Sequence, residues 1–212
     1  MVSRLLPLIV ISWTAGCVSA GDRPDSGKLR VLFNSEDLSG WVIENGGQFS
    51  VRKGLLVVNR GTGWLRSEGE FGDFVLDIDF RFLEKEANSG IFVRTGSSSA
   101  DDENGWPDNG YQVQCMDTTT GERPLASMIP YGAPGFYDTH HKSNLEAIAR
   151  VYRPTGEWNN CEIACIGETL SVKLNGELVT TASNVKNRRG HIGIQAEHGL
   201  LEFRNIIVRA FD

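Results

Sequence analysis

No stretch of this 212-residue chain is long and apolar enough to read as a membrane helix, since a span needs about 20 consecutive apolar residues. Positive charge is not in excess: 21 Lys and Arg stand against 27 Asp and Glu, a formal net charge of −6. That balance argues against a nucleic-acid binder, whose phosphate contacts need a basic surface. The densest basic run, Lys186-Asn187-Arg188-Arg189, reads as a solvated loop. Sustained helical periodicity is missing, and only Ser143–Ala149 reads as a short helix. There is no internal repeat and no low-complexity segment. Standard catalytic signatures are absent too: no G-x-S-x-G elbow, no H-E-x-x-H, no P-loop and no G-x-G-x-x-G. Cysteine is scarce, and no spacing matches a zinc site. Beyond Cys17 there are Cys115, Cys161 and Cys165. The last two are four apart in an expected strand, roughly 13 Å, whereas a disulfide needs Cα atoms within about 7 Å. All three read as buried small hydrophobes, although a bridge from Cys115 to one of the others stays open.

What is present starts with an export signal at residues 1–20. Arg4 supplies the positive start, and Leu5–Trp13 is an apolar run interrupted by Pro7 and Ser12. Two exits compete. Val18-Ser19-Ala20 suits a signal peptidase, while Thr14-Ala15-Gly16-Cys17 is similar to a bacterial lipobox, with Cys17 as the lipid-bearing residue. The expected location is the periplasm or the exterior, with or without a lipid anchor. Residues 21–28 read as a polar tether and residues 29–212 as one domain, expected to be monomeric.

From Leu29 the apolar period is two. Leu76, Ile78, Phe80 and Phe82 alternate with Asp77, Asp79 and Arg81, so one face is buried and the other wet. Leu170, Val172 and Leu174 alternate with Ser171 and Lys173, and Asn175-Gly176 then reads as a two-residue hairpin turn. Further strand-like runs are Arg30–Asn34, Phe49–Arg52, Leu55–Asn59, Trp64–Ser67, Gly90–Thr95, Tyr111–Asp117, Trp158–Ile166, Gly190–Ala196 and Leu201–Val208. About a dozen short strands with 24 glycines among the turns predict an all-β, two-sheet jelly-roll sandwich, with a closed barrel as the alternative. Two long irregular stretches, Gly96–Gly110 and Thr118–Gly156, are expected to be functional and to wall one sheet.

The strand Tyr111–Asp117 carries the clearest binding signal. Gln112 and Gln114 share one face, a platform able to donate to and accept from sugar hydroxyls, while Tyr111, Val113 and Cys115 share the other. Asp117 closes the strand as a further ligand or a loop cap. Arg94 shares a face with Phe92 and either clamps a ligand oxygen or pairs with an acid. His198 follows Gln195 by three residues and is a natural proton carrier near neutrality. Asp77 and Asp79 have the spacing of a carboxylate pair but sit on a solvated face. Trp158 opens a strand and reads as core.

These pieces converge on a resemblance. Phe33–Trp41, Phe80-Arg81, Asn88–Arg94, Gly110–Gln114 with Asp117, Gly156–Asn159, Leu174–Gly176, Gly193–Gln195 with His198-Gly199, and Phe203–Ile206 together resemble the 3-keto-disaccharide hydrolase domain family. That family lies within the concanavalin A-like lectin/glucanase jelly-roll group. The resemblance implies action on 3-keto glycosides: the ketone acidifies the C2 proton, a base removes it, and the glycosidic oxygen leaves from C1. On that basis His198 is expected as base or acid and Arg94 as electrostatic stabiliser. Gln112, Gln114, Asp117, Gln195 and Tyr111 are expected to hold the sugar. A divalent metal would suit the enolate oxygen, but the sequence offers no ligand motif for one. Family members often carry Glu where this chain has Gln112, and the Ser127–Gly132 segment departs from the usual small-residue run. The alternatives are therefore a non-catalytic carbohydrate-binding module of the same fold and an adhesive envelope domain.

Overall fold

A computed structural model describes residues 27–99, 103–137 and 140–211. The export signal, Cys17 and most of the tether lie outside the described residues. The elements are β1 (Lys28–Val31), β2 (Trp41–Asn45), β3 (Phe49–Arg52), β4 (Leu55–Val58), β5 (Gly63–Phe71), β6 (Phe74–Phe82), β7 (Asn88–Thr95), β8 (Gly110–Met116), β9 (Met128–Tyr131), β10 (His141–Ser143), α1 (Leu145–Val151), β11 (Asn159–Ile166), β12 (Thr169–Leu174), β13 (Glu177–Ala182), β14 (Gly190–Ala196) and β15 (Leu201–Ala210). They form two antiparallel sheets. One runs β10-β13-β12-β11-β6-β15-β4-β3, with β1 also on β15; the other runs β2-β5-β14-β7-β8-β9.

The two-residue period explains the sandwich. On β6 the residues Phe74, Leu76, Ile78, Phe80 and Phe82 are fully buried, while Asp77, Asp79 and Arg81 are only half so. They meet Leu65, Ile91, Val93, Tyr111, Val113, Ile192 and Ile194 from the opposite sheet in one core. Each such side chain contributes about 1.5–3 kcal/mol on burial. The Asn175-Gly176 turn forms as read, both residues taking positive φ (50° and 86°) between β12 and β13, as a two-residue hairpin requires. The helix lies two residues downstream of its expected place because Asn144 caps it, its side chain accepting from Ala147 N–H. The strands β2, β9 and β10 were not read from the sequence. They are short edge or near-edge pieces whose apolar alternation is too brief to register.

Cys115, Cys161 and Cys165 are free and buried. Burial pushes the thiols of Cys161 and Cys165 up to about 12, so they are inert packing groups. Trp158 corrects its reading as core. It lies half-buried on the wet face of the larger sheet, with the guanidinium carbons of Arg204 and Arg81 at 4.0 and 4.7 Å from its ring centre. Asp77 and Asp79 on that face both accept from the Asn160 side chain, and Asp79 also pairs with Arg204. Burial raises the Asp77 carboxyl above the usual carboxylate range. Among the described residues no helix is long and apolar enough to cross a membrane.

Candidate functional site

The outer face of the six-stranded sheet is where the glutamines gather. Alternation on β8 sends Tyr111, Val113 and Cys115 into the core and leaves Gln112 and Gln114 on the outer face. Alternation on β14 does the same for Gln195. The amide of Gln112 is the hub, its Nε2 donating to Gln114 Oε1 at 2.8 Å and to Gln195 Oε1 at 3.0 Å. This is possible because β7 has Gly90 between them: a Cβ there would stand 1.9 Å from Gln112 Nε2. Gly193 plays the same part for Trp64, whose ring would be 2.5 Å from an added Cβ. The floor continues as an edge-to-face aromatic chain, Trp64–Phe92 at 5.6 Å, Phe92–Tyr131 at 5.5 Å and Tyr131–Trp106 at 6.1 Å.

Three buried polar atoms of this region have no partner: Gln112 Oε1, Trp64 Nε1 and Asn88 Oδ1. A buried donor or acceptor left unpaired costs about 1–3 kcal/mol. Gln112 has spent both amide hydrogens on its neighbours, so its carbonyl oxygen remains to accept. The Trp64 indole can only donate. Their complementary ligand is one rich in hydroxyl and carbonyl oxygen.

A carboxylate stands at one corner of the floor. Ile194 pairs with Ile91, but His198 pairs with Asn88, their backbones exchanging bonds of 2.8 and 3.1 Å. The β14 side therefore has one extra residue, a bulge that brings Glu197 and His198 together beside Asn88. Burial pushes the Glu197 carboxyl above the usual carboxylate range, opposed in part by a hydrogen bond from Asn88 and by the charge of His198. The imidazole end of the pair, His198, is exposed. Neither Glu197 nor Asn88 was singled out by the sequence reading. Period two counted on from Gln195 already places Glu197 on the same face.

Of the residues expected at the site, Gln112, Gln114 and Gln195 meet in one network, and His198 lies at its margin. Arg94, Tyr111 and Asp117 do not join them. A bulge at the end of β7, where Arg94 takes φ +49°, turns its side chain away from Phe92's face. Its guanidinium is fully buried at one end of the sandwich, donating to the carbonyls of Gly72, Cys165, Gly167 and Asn187 and to the Asp73 carboxylate. That placement suits a structural pin, not an electrostatic stabiliser. Tyr111 is core, with its hydroxyl accepting from Lys186 N–H at 2.9 Å. Asp117 faces the core side of β8 and accepts from the Tyr152 hydroxyl, Thr155 Oγ1 and Glu86 N–H. Burial and that carboxylate both push the Tyr152 hydroxyl well up. This corrects the expectation that the three hold a ligand: each is occupied by the protein itself. Among the described residues no group of three or more His, Cys, Asp or Glu side chains comes together to hold a metal ion.

The sandwich has close parallels among solved structures. One protein from Parabacteroides distasonis, classed provisionally as a glycosyl hydrolase, is 24% identical, with a TM-score of 0.65 over 87% of this chain and 100% of that one. A second of the same description and organism is 18% identical, with a TM-score of 0.64 over 88% and 94%. The carbohydrate-binding module CBM66 from Bacillus subtilis is 16% identical, with a TM-score of 0.55 over 81% and 96%. At these identities the likeness is one of fold, and it agrees with the jelly-roll architecture. No curated protein matches the chain. The profile of one family matches residues 28–209, almost all of the sandwich, and on that match the chain belongs to the 3-keto-alpha-glucoside-1,2-lyase-like domain family.

Proposed function

We propose that the domain binds a carbohydrate on the outer face of the smaller sheet and breaks the glycosidic bond of 3-keto glycosides. The observation that carries this reading is Glu197, a carboxylate made more basic by burial at the edge of a glutamine-lined floor. Family membership and the carbohydrate-related names of the fold neighbours support the substrate class.

In the proposed mechanism Glu197 takes the proton from C2 of the sugar, and the C–H electron pair moves towards C3, leaving the charge on the ketone oxygen as an enolate. When that charge returns, the C3 carbonyl re-forms, a C1–C2 double bond appears, and the C1–O bond breaks. His198, protonated, gives its proton to the departing oxygen. Addition of water across the double bond, hydroxyl to C1 and proton to C2, completes a net hydrolysis. Gln114 and Asn88 orient the ring, and the Gln112 carbonyl accepts from a hydroxyl. The protein is further proposed to work outside the cytoplasm, on the strength of residues 1–20.

The test is release of sugar from a 3-keto disaccharide and from its unoxidised parent, with and without chelator, by the unaltered protein, Glu197→Gln and His198→Ala. Release from the keto substrate alone, lost in Glu197→Gln with binding retained, supports the reading. Binding without release by the unaltered protein would make this a carbohydrate-binding module, a reading favoured by the amide of Gln112 at the centre of the floor.

A further inference from the structure

The reaction proposed above puts a negative charge on the ketone oxygen, and Arg94, the cation expected to meet it, is buried at one end of the sandwich. A different donor follows from the polarity of the glutamine network. An amide side chain has one accepting end and one donating end. Which end faces where is fixed by neighbours that can only accept, and two of them bound this network. The backbone oxygen of Ser89 lies 3.5 Å from Gln112 Nε2, and Met116 Sδ lies 3.9 Å from Gln114 Nε2. Between them Gln112 Nε2 donates to Gln114 Oε1 at 2.8 Å and to Gln195 Oε1 at 3.0 Å. Turning any one of the three amides over would set nitrogen against nitrogen or oxygen against oxygen in a buried cluster. The network therefore runs in one direction, and Gln112 directs it. Because its amide gives hydrogens to both neighbours, both keep their oxygens turned to it and their nitrogens turned away.

For Gln114 the outward end lies on the side of the base. Met116 stands opposite Asn88 in the β7–β8 register, and Asn88 is hydrogen-bonded to Glu197. The Gln114 nitrogen thus sits on the Asn88 side of the floor, beside the half-exposed Met116. A thioether is a weak acceptor, so this N–H passes easily to an oxygen that carries more charge. We infer that Gln114 Nε2 donates to the C3 ketone oxygen and stabilises the enolate, and that Gln112 is a positioning residue that keeps Gln114 a donor. As Glu197 takes the C2 proton, the C2–H electron pair becomes the C2–C3 double bond and the carbonyl pair moves onto oxygen. The Gln114 N–H is already turned to meet that charge and costs no reorganisation. On the adjacent side chain the unpaired Gln112 Oε1 accepts, a pairing that matches a ketone flanked by a hydroxyl. The inference rests on the elimination reading of this site.

Two near-isosteric variants test it, assayed at mildly alkaline pH where the introduced carboxyls are ionised. Gln114→Glu keeps the oxygen that accepts from Gln112 and replaces the donor by a second oxygen. Gln112→Glu leaves Gln114 untouched but offers it only acceptors, so the Gln114 amide turns over and presents its oxygen to the ketone. Each should lower kcat for sugar release from a 3-keto disaccharide by about 10²–10³-fold, the cost of one oxyanion donor. The same loss should appear in exchange of the C2 proton with deuterated solvent, which reads enolate formation before the C1–O bond breaks. The dissociation constant of the unoxidised parent disaccharide should change by less than about tenfold, because no charge develops on it. In the unaltered protein the Gln112 side-chain amide protons, both spent inside the network, should exchange slowly by NMR. Unchanged kcat in Gln114→Glu would overturn the donor. Unchanged or raised kcat in Gln112→Glu would overturn the positioning role, as would fast exchange of the Gln112 amide protons, a readout that stands even where Gln112→Glu fails to fold. Sugar release and C2 exchange both absent from the unaltered protein would overturn the proposed function and the enolate role together, whereas release that survives Gln114→Glu overturns this inference alone.

Discussion

Replacing Arg94 by methionine separates a scaffold role from a ligand-binding one. The arginine is fully buried, and its guanidinium donates to Gly72 O at 3.0 Å, Cys165 O at 3.2 Å, Gly167 O at 2.7 Å, Asn187 O at 3.0 Å and Asp73 Oδ1 at 2.8 Å. Those bonds tie the β5–β6 turn, the β11–β12 turn and the segment before β14 to the end of β7, joining both sheets at one end. Methionine fills part of the stem's volume and supplies no donor. Summing each bond would overshoot, because Asp73 is partly in water and the turn carbonyls can rehydrate. Removing one partner of a buried ion pair sets the scale, about 3–5 kcal/mol. In a domain of this size each kcal/mol moves the melting temperature by about 2–4 °C. Arg94→Met should therefore melt about 6–20 °C lower, and at 25 °C it should bind sugar as the unaltered protein does. Calorimetric melting paired with a sugar titration reads both. An unchanged melting temperature with sugar binding lost would refute the argument and return Arg94 to the site.

Glu197→Gln should lower turnover of a 3-keto disaccharide by about 10²–10⁴-fold and leave binding intact, measured by steady-state release and calorimetry. The raised Glu197 carboxyl also has a signed effect on stability. A group whose folded pKa lies above its unfolded value stabilises below the unfolded pKa, and that contribution is lost as pH rises through the folded one. Glu197→Gln should accordingly melt higher than the unaltered protein at pH 7 and show no gain at pH 3, and an equal difference at both would exclude the assigned cause. Gln112→Leu strands the Oε1 atoms of Gln114 and Gln195 and should cost about 1–3 kcal/mol for each, seen as a lower denaturant midpoint with weakened sugar binding. Trp158→Ala removes two cation–π contacts on the far sheet and should cost about 1–2 kcal/mol, with sugar binding unchanged in the same titration.

Much of the outer-face floor was legible because strand alternation is a local property. Gln112 and Gln114 had to share a face, and Tyr111, Val113 and Cys115 had to share the other, whatever the partners of β8 turned out to be. The same rule applied without interruption would have kept Arg94 with Phe92. It failed there because a bulge inserts one residue against β14, and the register of a partner strand is not a local property. A second bulge, between Ile194 and His198, brings Glu197 and His198 to one neighbour, Asn88. Asp117 and Tyr111 were misread for a different reason: their residue types suit ligand binding, but Tyr152, Thr155 and Lys186, distant in sequence, had already taken their polar atoms.

By itself the sequence determined the all-β sandwich, the two faces of uninterrupted strands such as β6 and β8, the Asn175-Gly176 hairpin and that Cys161 and Cys165 do not pair with each other. All of these follow from period two, from turn chemistry and from the reach of a strand. Only the tertiary structure decided which side chains meet on the glutamine floor, where the bulges fall, and which polar groups remain unpaired. Those depend on strand order and register, which are set by packing between segments far apart in the chain.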